Sequence, residues 1–214
     1  MTINASLTKP QLIFIIVSAV VLFAFVLAIF LVIFIPIRNR KKKSDFKYFY
    51  YKTIYKIAMD RDYYLINNFL FKIDESYVAR IDHILFGDKY IYLITDSYFD
   101  GDITGKEDDV SIIRIESTGK KYYDSNPIVT SKKLLTKLSM VTGIDPSMMI
   151  GVSLINSECR SDIKTTGKQF YIIQVNKLKS LVKAIESRDI DPINAEQLAS
   201  AVKAINKLNR KRKK

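Results

Sequence analysis

The stretch YVARIDHILFGDKYIYLIT, from Tyr77 to Thr95, is the part of the chain that indicates its fold class. It contains two runs rich in β-branched and aromatic residues, Tyr77–Phe86 and Tyr90–Thr95, joined through Gly87 and Asp88. Such runs are typical of strands, and glycine followed by aspartate is typical of a turn. The stretch therefore predicts two consecutive strands of one sheet.

Similar runs and several helical patterns lie on both sides of this stretch. Further strands are predicted at Tyr63–Ile66, Phe69–Lys72, Val110–Ile115, Lys120–Tyr123, Met149–Ile155 and Gln169–Gln174. Helices are predicted over Asp45–Met59, from Asn126-Pro127 through Met140, over Lys177–Ser187 and over Ala195–Leu208. This order of helix, strands, helix, strand pair and two helices predicts an α/β domain with a mixed central sheet flanked by helices.

An apolar segment precedes this domain. Leu12 to Ile35 contains no charged residue, and a helix of that length spans about 36 Å, enough to cross roughly 30 Å of hydrocarbon. A secretory signal peptide has a shorter apolar run, with its positive charges before that run. We therefore predict an uncleaved transmembrane helix over residues 11–37.

The charges beside this helix predict its orientation. Lys9 lies before it, whereas a basic juxtamembrane segment, residues 38–45, follows it with Arg38, Arg40, Lys41, Lys42 and Lys43. Cytoplasmic flanks carry the excess of Lys and Arg. Residues 1–10 are thus expected outside a cell membrane that the chain crosses once, and the C-terminal domain in the cytoplasm.

The composition favours partners that carry phosphate. The formal net charge is +12, and the chain ends in a basic tail, residues 209–214, with Arg210, Lys211, Arg212, Lys213 and Lys214. Both basic clusters are expected to contact anionic lipid of the bilayer or nucleic acid. Another protein is a further possible partner, whereas no small-molecule substrate is evident. The single cysteine, Cys159, excludes an internal disulfide framework. The chain also has a single histidine, His83.

Five pieces of sequence, in order, resemble the nuclease-related domain (NERD), a branch of the PD-(D/E)xK endonuclease-like fold. They are RIDHIL at Arg80–Leu85, YIYLITDS at Tyr90–Ser97, a turn at Gly101, Asn126-Pro127, and MIGVSL at Met149–Leu154. The resemblance covers about residues 46–208 and implies a nuclease-like fold.

The resemblance also implies a set of site residues. In active members an Asp of the first motif and a Glu of the second bind a divalent metal, and a Lys assists hydrolysis. Asp82 matches the first carboxylate, but Thr95 and Ser97 stand where the Glu and the Lys are expected. Asp96 is a weaker alternative ligand. Strand side chains alternate, so without a bulge Asp96 should point away from the face that Thr95 shares with Asp82.

We therefore expect a membrane-tethered, catalytically inactive nuclease-related domain that acts as a cytoplasmic binding or scaffolding module and needs no cofactor. One alternative is a divergent Mg²⁺-dependent nuclease acting on DNA or RNA near the membrane, with Asp82 and Asp96 as ligands. Another is a structural membrane protein with only protein partners.

The alternation of side chains along a strand also gives a prediction for His83. Because His83 directly follows Asp82, its side chain should point to the opposite face of the strand.

Overall fold

The computed structural model describes residues 9–72 and 78–209. The predicted basic tail, Arg210 to Lys214, and the side chains of Arg38, Arg40 and Lys42 lie outside what it describes. Two compact units divide the chain, Met1–Asp45 and Phe46–Lys214.

The first unit contains most of one long helix, α1 (Lys9–Arg61). Within it, Lys9–Ile35 has a mean hydropathy of 3.3, and none of this span is buried. This part of the helix is long and apolar enough to cross a membrane, although a signal sequence has the same properties. The predicted helix at Asp45–Met59 is the C-terminal part of α1. The basic residues before it are helical too, because Lys and Arg are good helix formers and no glycine interrupts them.

The second unit is built on a mixed five-stranded sheet, which confirms the predicted α/β class. Its strands are β1 (Tyr64–Lys72), β2 (Val78–Phe86), β3 (Ile91–Asp96), β7 (Met149–Ile155) and β8 (Phe170–Gln174), in the order β1-β2-β3-β7-β8. The first three strands are antiparallel, and β3, β7 and β8 are parallel. A smaller antiparallel sheet contains β4 (Asp102–Thr104), β5 (Ser111–Ile115) and β6 (Lys121–Ser125).

Helices cover both faces of the five-stranded sheet. The end of α1 and α3 (Leu178–Glu186) pack on one face through Tyr50, Ile54 and Leu178. The other face is covered by α2 (Pro127–Thr142) and α4 (Ala195–Leu208). Strand β7 is buried along its whole length, as expected for a strand between two helical layers.

Asn126 holds the start of α2 in place. Its side-chain oxygen accepts a hydrogen bond from the Ile128 N–H, and its amide nitrogen donates to the carbonyls of Lys106, Glu107 and Asp109. Pro127 occupies the first helical position, where a missing N–H costs nothing. The predicted helix start at Asn126-Pro127 is therefore present, and the same side chain anchors the preceding loop.

Two differences from the predicted strands have local causes. The runs predicted at Tyr63–Ile66 and Phe69–Lys72 are joined into a single strand, β1, which begins at Tyr64. Asn67 and Asn68, which lie between the two runs, are part of this strand. Asn68 has a φ of 53°, in the left-handed region that asparagine tolerates. Strand β4 was not predicted, because three residues are too few for a periodic pattern.

Candidate functional site

The site begins with an irregularity in β1 and β2. The ladder pairs Asn67 with His83 and Phe69 with Ile81, but it skips Asn68 and Asp82, which lie opposite each other. Ile66 and Phe69 nevertheless pack in the same core cluster on the α2 side, and so do Ile81 and Ile84. In a regular strand, residues three positions apart lie on opposite faces. They can lie on the same face only when both residues between them lie on the other face.

Four polar side chains are therefore placed together on the α1 side of the sheet. Asn67, Asn68, Asp82 and His83 all line one pocket there. The prediction that His83 points away from Asp82 is wrong, because regular alternation fails at the left-handed Asn68. The sequence signal for this irregularity is the Asn67-Asn68 pair inside an apolar run.

Strand β3 adds the second carboxylate. Asp96 lies in the same pocket, and its backbone N–H donates to Asp82 Oδ2 at 3.0 Å. Thr95 points the other way and donates to Ser153 Oγ at 3.4 Å. Asp96 thus points away from Thr95, as alternation predicts, but Asp82 shares its face with Asp96 and not with Thr95. Ser97 follows the strand, where its carbonyl accepts from the Tyr50 hydroxyl.

Two cations compensate the charge of Asp82. Its Oδ1 lies 2.9 Å from Arg80 Nη2 and 3.6 Å from Lys47 Nζ of α1. Arg80 Nη2 also donates to Asn68 Oδ1 at 2.9 Å. The side chains of Lys47 and Arg80 are 51% and 47% exposed, whereas that of Asp82 is 14% exposed. Both cations can therefore reach a ligand at the mouth of the pocket while they hold Asp82.

Asp96 is paired with His83 beneath these cations. His83 Nε2 lies 3.0 Å from Asp96 Oδ2, and His83 Nδ1 lies 2.6 Å from Asn67 Oδ1. The Asp96 side chain is 1% exposed. Burial raises the pKa of Asp96 above its ordinary value, against the opposing effect of the hydrogen bond from His83. Asp96 Oδ1 is buried and has no hydrogen-bond partner among the described residues.

The pocket has a volume of about 360 Å³. Tyr51 of α1 closes one side, with its ring stacked near that of His83 at a centroid distance of 6.4 Å and an interplanar angle of 25°. Sequence reasoning missed Lys47, Tyr51, Asn67, Asn68 and Arg80 as lining residues. Besides the Asn67-Asn68 pair, Arg80 carried a signal, since it is two residues before Asp82 and strand residues two apart share a face.

The residues present do not form a cage for a divalent metal. Among residues 9–72 and 78–209, no group of three or more His, Cys, Asp or Glu side chains is arranged to hold a metal ion. Both oxygens of Asp82 and one oxygen of Asp96 already have partners within the protein. Mg²⁺ requires several oxygen ligands in near-octahedral geometry, and this arrangement offers only Asp96 Oδ1 without such a partner.

Two further residues predicted to contact phosphate or lipid are described by the structure. Lys41 and Lys43 belong to the first unit and have exposed side chains.

Comparisons with known proteins identify the family of the chain. A solved structure titled "Crystal Structure of Protein of Unknown Function AF1548" is similar at 9% identity, with a TM-score of 0.37, and the match covers 74% of this chain and 95% of that one. No curated protein matches the chain. The family model described as "Nuclease-related domain" matches residues 47–155, slightly more than half of the 214 residues. The chain therefore belongs to the nuclease-related domain family.

Proposed function

We propose that this protein is a membrane-tethered, catalytically inactive nuclease-related domain that binds nucleic acid at the cytoplasmic face of a membrane. The observation that carries the proposal is the pairing inside the pocket. Asp82 is held by Arg80, Lys47 and the Asp96 N–H, and Asp96 is held by His83. The α1 side of the sheet thus presents half-exposed cations in front of carboxylates that already have partners within the protein.

This pairing disfavours hydrolysis. A metal ion at Asp82 Oδ1 would compete with Arg80 and Lys47, and at Asp96 only Oδ1 has no partner among the described residues. The position where the family resemblance implies a glutamate carries Thr95, which faces the opposite side of the sheet and hydrogen-bonds to Ser153. The chain thus supplies few of the oxygen ligands that a Mg²⁺ ion would need.

The same pairing favours binding of phosphate. Lys47 and Arg80 can each donate charge-assisted hydrogen bonds to a phosphate oxygen at the pocket mouth. The formal net charge of +12 adds a long-range attraction for any polyanion. Binding of this kind depends little on sequence and weakens steeply with salt, because each neutralised phosphate releases counterions.

The apolar part of α1 supports the membrane tether. Lys9–Ile35 is long enough to span the hydrocarbon core, and the excess of basic residues after it favours a cytoplasmic location for the domain. A tether of this kind keeps the binding pocket close to the membrane.

The test uses the full chain in a mild non-ionic detergent, with fluorescence anisotropy of labelled oligonucleotides in Mg²⁺ across a salt series. We expect binding that weakens steeply with salt and a signal that stays constant over hours. Lys47→Ala with Arg80→Ala should weaken binding at least about fivefold, whereas Lys203→Ala on the exposed side of α4 should not. Absence of binding at low salt would contradict the proposal and favour a structural protein with only protein partners.

Asp82→Asn separates the binding module from an enzyme. In a binding module this change removes a negative charge beside Lys47 and Arg80, so nucleic acid should bind as tightly as before or more tightly. In a nuclease it removes a metal ligand, so metal-dependent cleavage should disappear. Cleavage by the unmodified chain that Asp82→Asn abolishes would overturn the proposal.

A divergent Mg²⁺-dependent nuclease is the second candidate. Two observations favour it: Asp82 and Asp96 share one pocket, and Asp96 Oδ1 has no partner among the described residues. Carboxylate oxygens are the ligands that Mg²⁺ prefers. In the same assay this candidate predicts an anisotropy signal that decays with time in Mg²⁺ and is stable in EDTA.

A further inference from the structure

The exposed side of α1 beside the pocket carries aromatic and basic residues. We call this surface the α1 strip and define it as Lys47, Tyr48, Tyr51, Lys52 and Tyr55. The exposed fractions of its three tyrosines range from 36% for Tyr51 to 63% for Tyr48. The opposite side of the same turns is buried through Tyr50, Ile54, Ile57 and Ala58, so the strip is not part of the core.

The α1 strip is continuous with the pocket. Lys47 and Tyr51 belong to both, and Tyr51 stacks near His83 inside the pocket. Tyr55 lies one turn further along α1, with its ring 5.8 Å from that of Tyr51 and tilted by 34°. Aromatic rings thus follow one another from the pocket onto the helix surface, with lysines on either side.

This combination matches the chemistry of an unpaired nucleic acid strand. Flat aromatic rings provide stacking surfaces for bases, and neighbouring lysines attract the phosphates between those bases. A duplex cannot use such rings, because its bases are stacked on one another inside the helix. The pocket cations Lys47 and Arg80 would bind one phosphate, and the bases next to it would lie against Tyr51 and Tyr55.

We propose that the α1 strip binds unpaired bases, so that the ligand of the pocket is single-stranded nucleic acid. This inference rests on the proposed function and adds the class of nucleic acid to it. Tyr51 and Tyr55 give selectivity for single strands, whereas Lys47 and Arg80 give affinity for either form.

The test measures the affinity of the full chain in non-ionic detergent for matched single- and double-stranded oligonucleotides. The variants are Tyr51→Ala, Tyr55→Ala, the double alanine variant, and Tyr51→Phe with Tyr55→Phe. Tyr123→Ala is the control, because Tyr123 is 79% exposed and belongs to β6 rather than α1. Circular dichroism confirms that each variant is folded.

We expect each alanine change to weaken single-strand binding at least about fivefold and to leave duplex binding nearly unchanged. The phenylalanine variant should retain single-strand affinity, because stacking needs the ring and not the hydroxyl. A 2-aminopurine base in the single strand should lose fluorescence on binding, and the double alanine variant should restore it.

Failure of this inference differs from failure of the proposed function. Equal affinity for both forms, with no effect of the tyrosine changes, would overturn the α1 strip as a base-binding surface; a strip that lies on lipid would give this result. If Lys47→Ala with Arg80→Ala still weakened binding in that case, the proposed function would stand. Absence of binding to either form would overturn both.

Discussion

At the scale of single residues, Asp96 has the least usual environment in the site. Its carboxyl group is buried, one oxygen contacts His83, and the other has no partner among the described residues. Burial raises its pKa, since a carboxylate loses hydration when it leaves water. Ionisation of Asp96 is therefore less favourable in the folded chain than in the unfolded chain.

Asp96→Asn should remove a pH dependence of stability. Because the pKa of Asp96 is higher in the folded than in the unfolded chain, the folded state binds more protons between the two values. The free energy of unfolding therefore falls as pH rises from about 4, the ordinary Asp pKa, through the raised value. We expect Asp96→Asn to lessen this fall, as measured by urea unfolding of the full chain in detergent between pH 4 and 8.

The exposed Asp191→Asn is the matched control for this change. Asp191→Asn should leave the pH dependence of the free energy of unfolding unchanged. Other groups whose pKa is raised by burial, such as Glu186, contribute equally to the unmodified chain and to both variants. Identical profiles for Asp96→Asn and the unmodified chain would contradict a raised pKa at Asp96.

The sequence alone predicts this site only in part. The family resemblance points to Asp82 and offers Asp96 as a weaker alternative, and alternation predicts correctly that Asp96 points away from Thr95. Alternation fails for His83, since it assumes a regular ladder and the left-handed Asn68 interrupts that ladder. Lys47 reaches Asp82 through packing of α1 on the sheet, and no local pattern reports such packing.

At the scale of elements, the start of α2 combines a helix cap with a loop anchor. Asn126 is 1% exposed and uses both ends of its amide. A sequence pattern predicts the cap, because asparagine before proline is typical of a helix start. The three carbonyls that its NH₂ group contacts come from a loop some twenty residues earlier, so their involvement depends on the folded structure.

We therefore expect Asn126→Ala to destabilise the domain by at least about 2 kcal/mol, since it removes both the helix cap and three hydrogen bonds to carbonyls of the preceding loop. Asn194→Ala at the start of α4 is the matched control. Asn194 also caps its helix, where its side chain accepts a hydrogen bond from the Gln197 N–H on an exposed surface. Its loss should cost about 1 kcal/mol.

Asn126→Asp distinguishes the two roles of this residue. Aspartate keeps the cap oxygen but places a carboxylate against three carbonyl oxygens, so it should destabilise the domain at least as much as alanine does. Urea unfolding followed by near-ultraviolet circular dichroism measures all three variants. Equal costs for Asn126→Ala and Asn194→Ala would show that the loop contacts contribute nothing.

At the scale of the whole molecule, the apolar N-terminal segment can be predicted more directly than the order of strands in the sheet. The apolar run predicts a helix without any knowledge of packing, and Lys9–Ile35 is helical. The sheet order could not be predicted in the same way, because β7 pairs with β3 across more than fifty residues of chain. Pairing between strands so far apart in sequence depends on which faces of the sheet and of the helices are buried against each other in the folded chain.

The orientation across the membrane is testable through cysteine labelling. The native Cys159 is 1% exposed, and burial raises the pKa of its thiol to about 12, so it should react slowly with maleimides. We expect a membrane-impermeant maleimide to label Ser6→Cys in intact cells and Tyr123→Cys only after the cells are lysed. The reason is the excess of Lys and Arg after the apolar helix, which favours a cytoplasmic domain.

Replacing Arg38, Arg40, Lys41, Lys42 and Lys43 together by serine removes the charge bias and should make Tyr123→Cys partly reactive in intact cells. Labelling of Tyr123→Cys in intact cells without that replacement would reverse the proposed orientation. A cleaved signal sequence would give a third result, because a shorter chain would carry no label at residue 6. Only an uncleaved, cytoplasm-facing anchor would hold the α1 strip where intracellular nucleic acid can reach it.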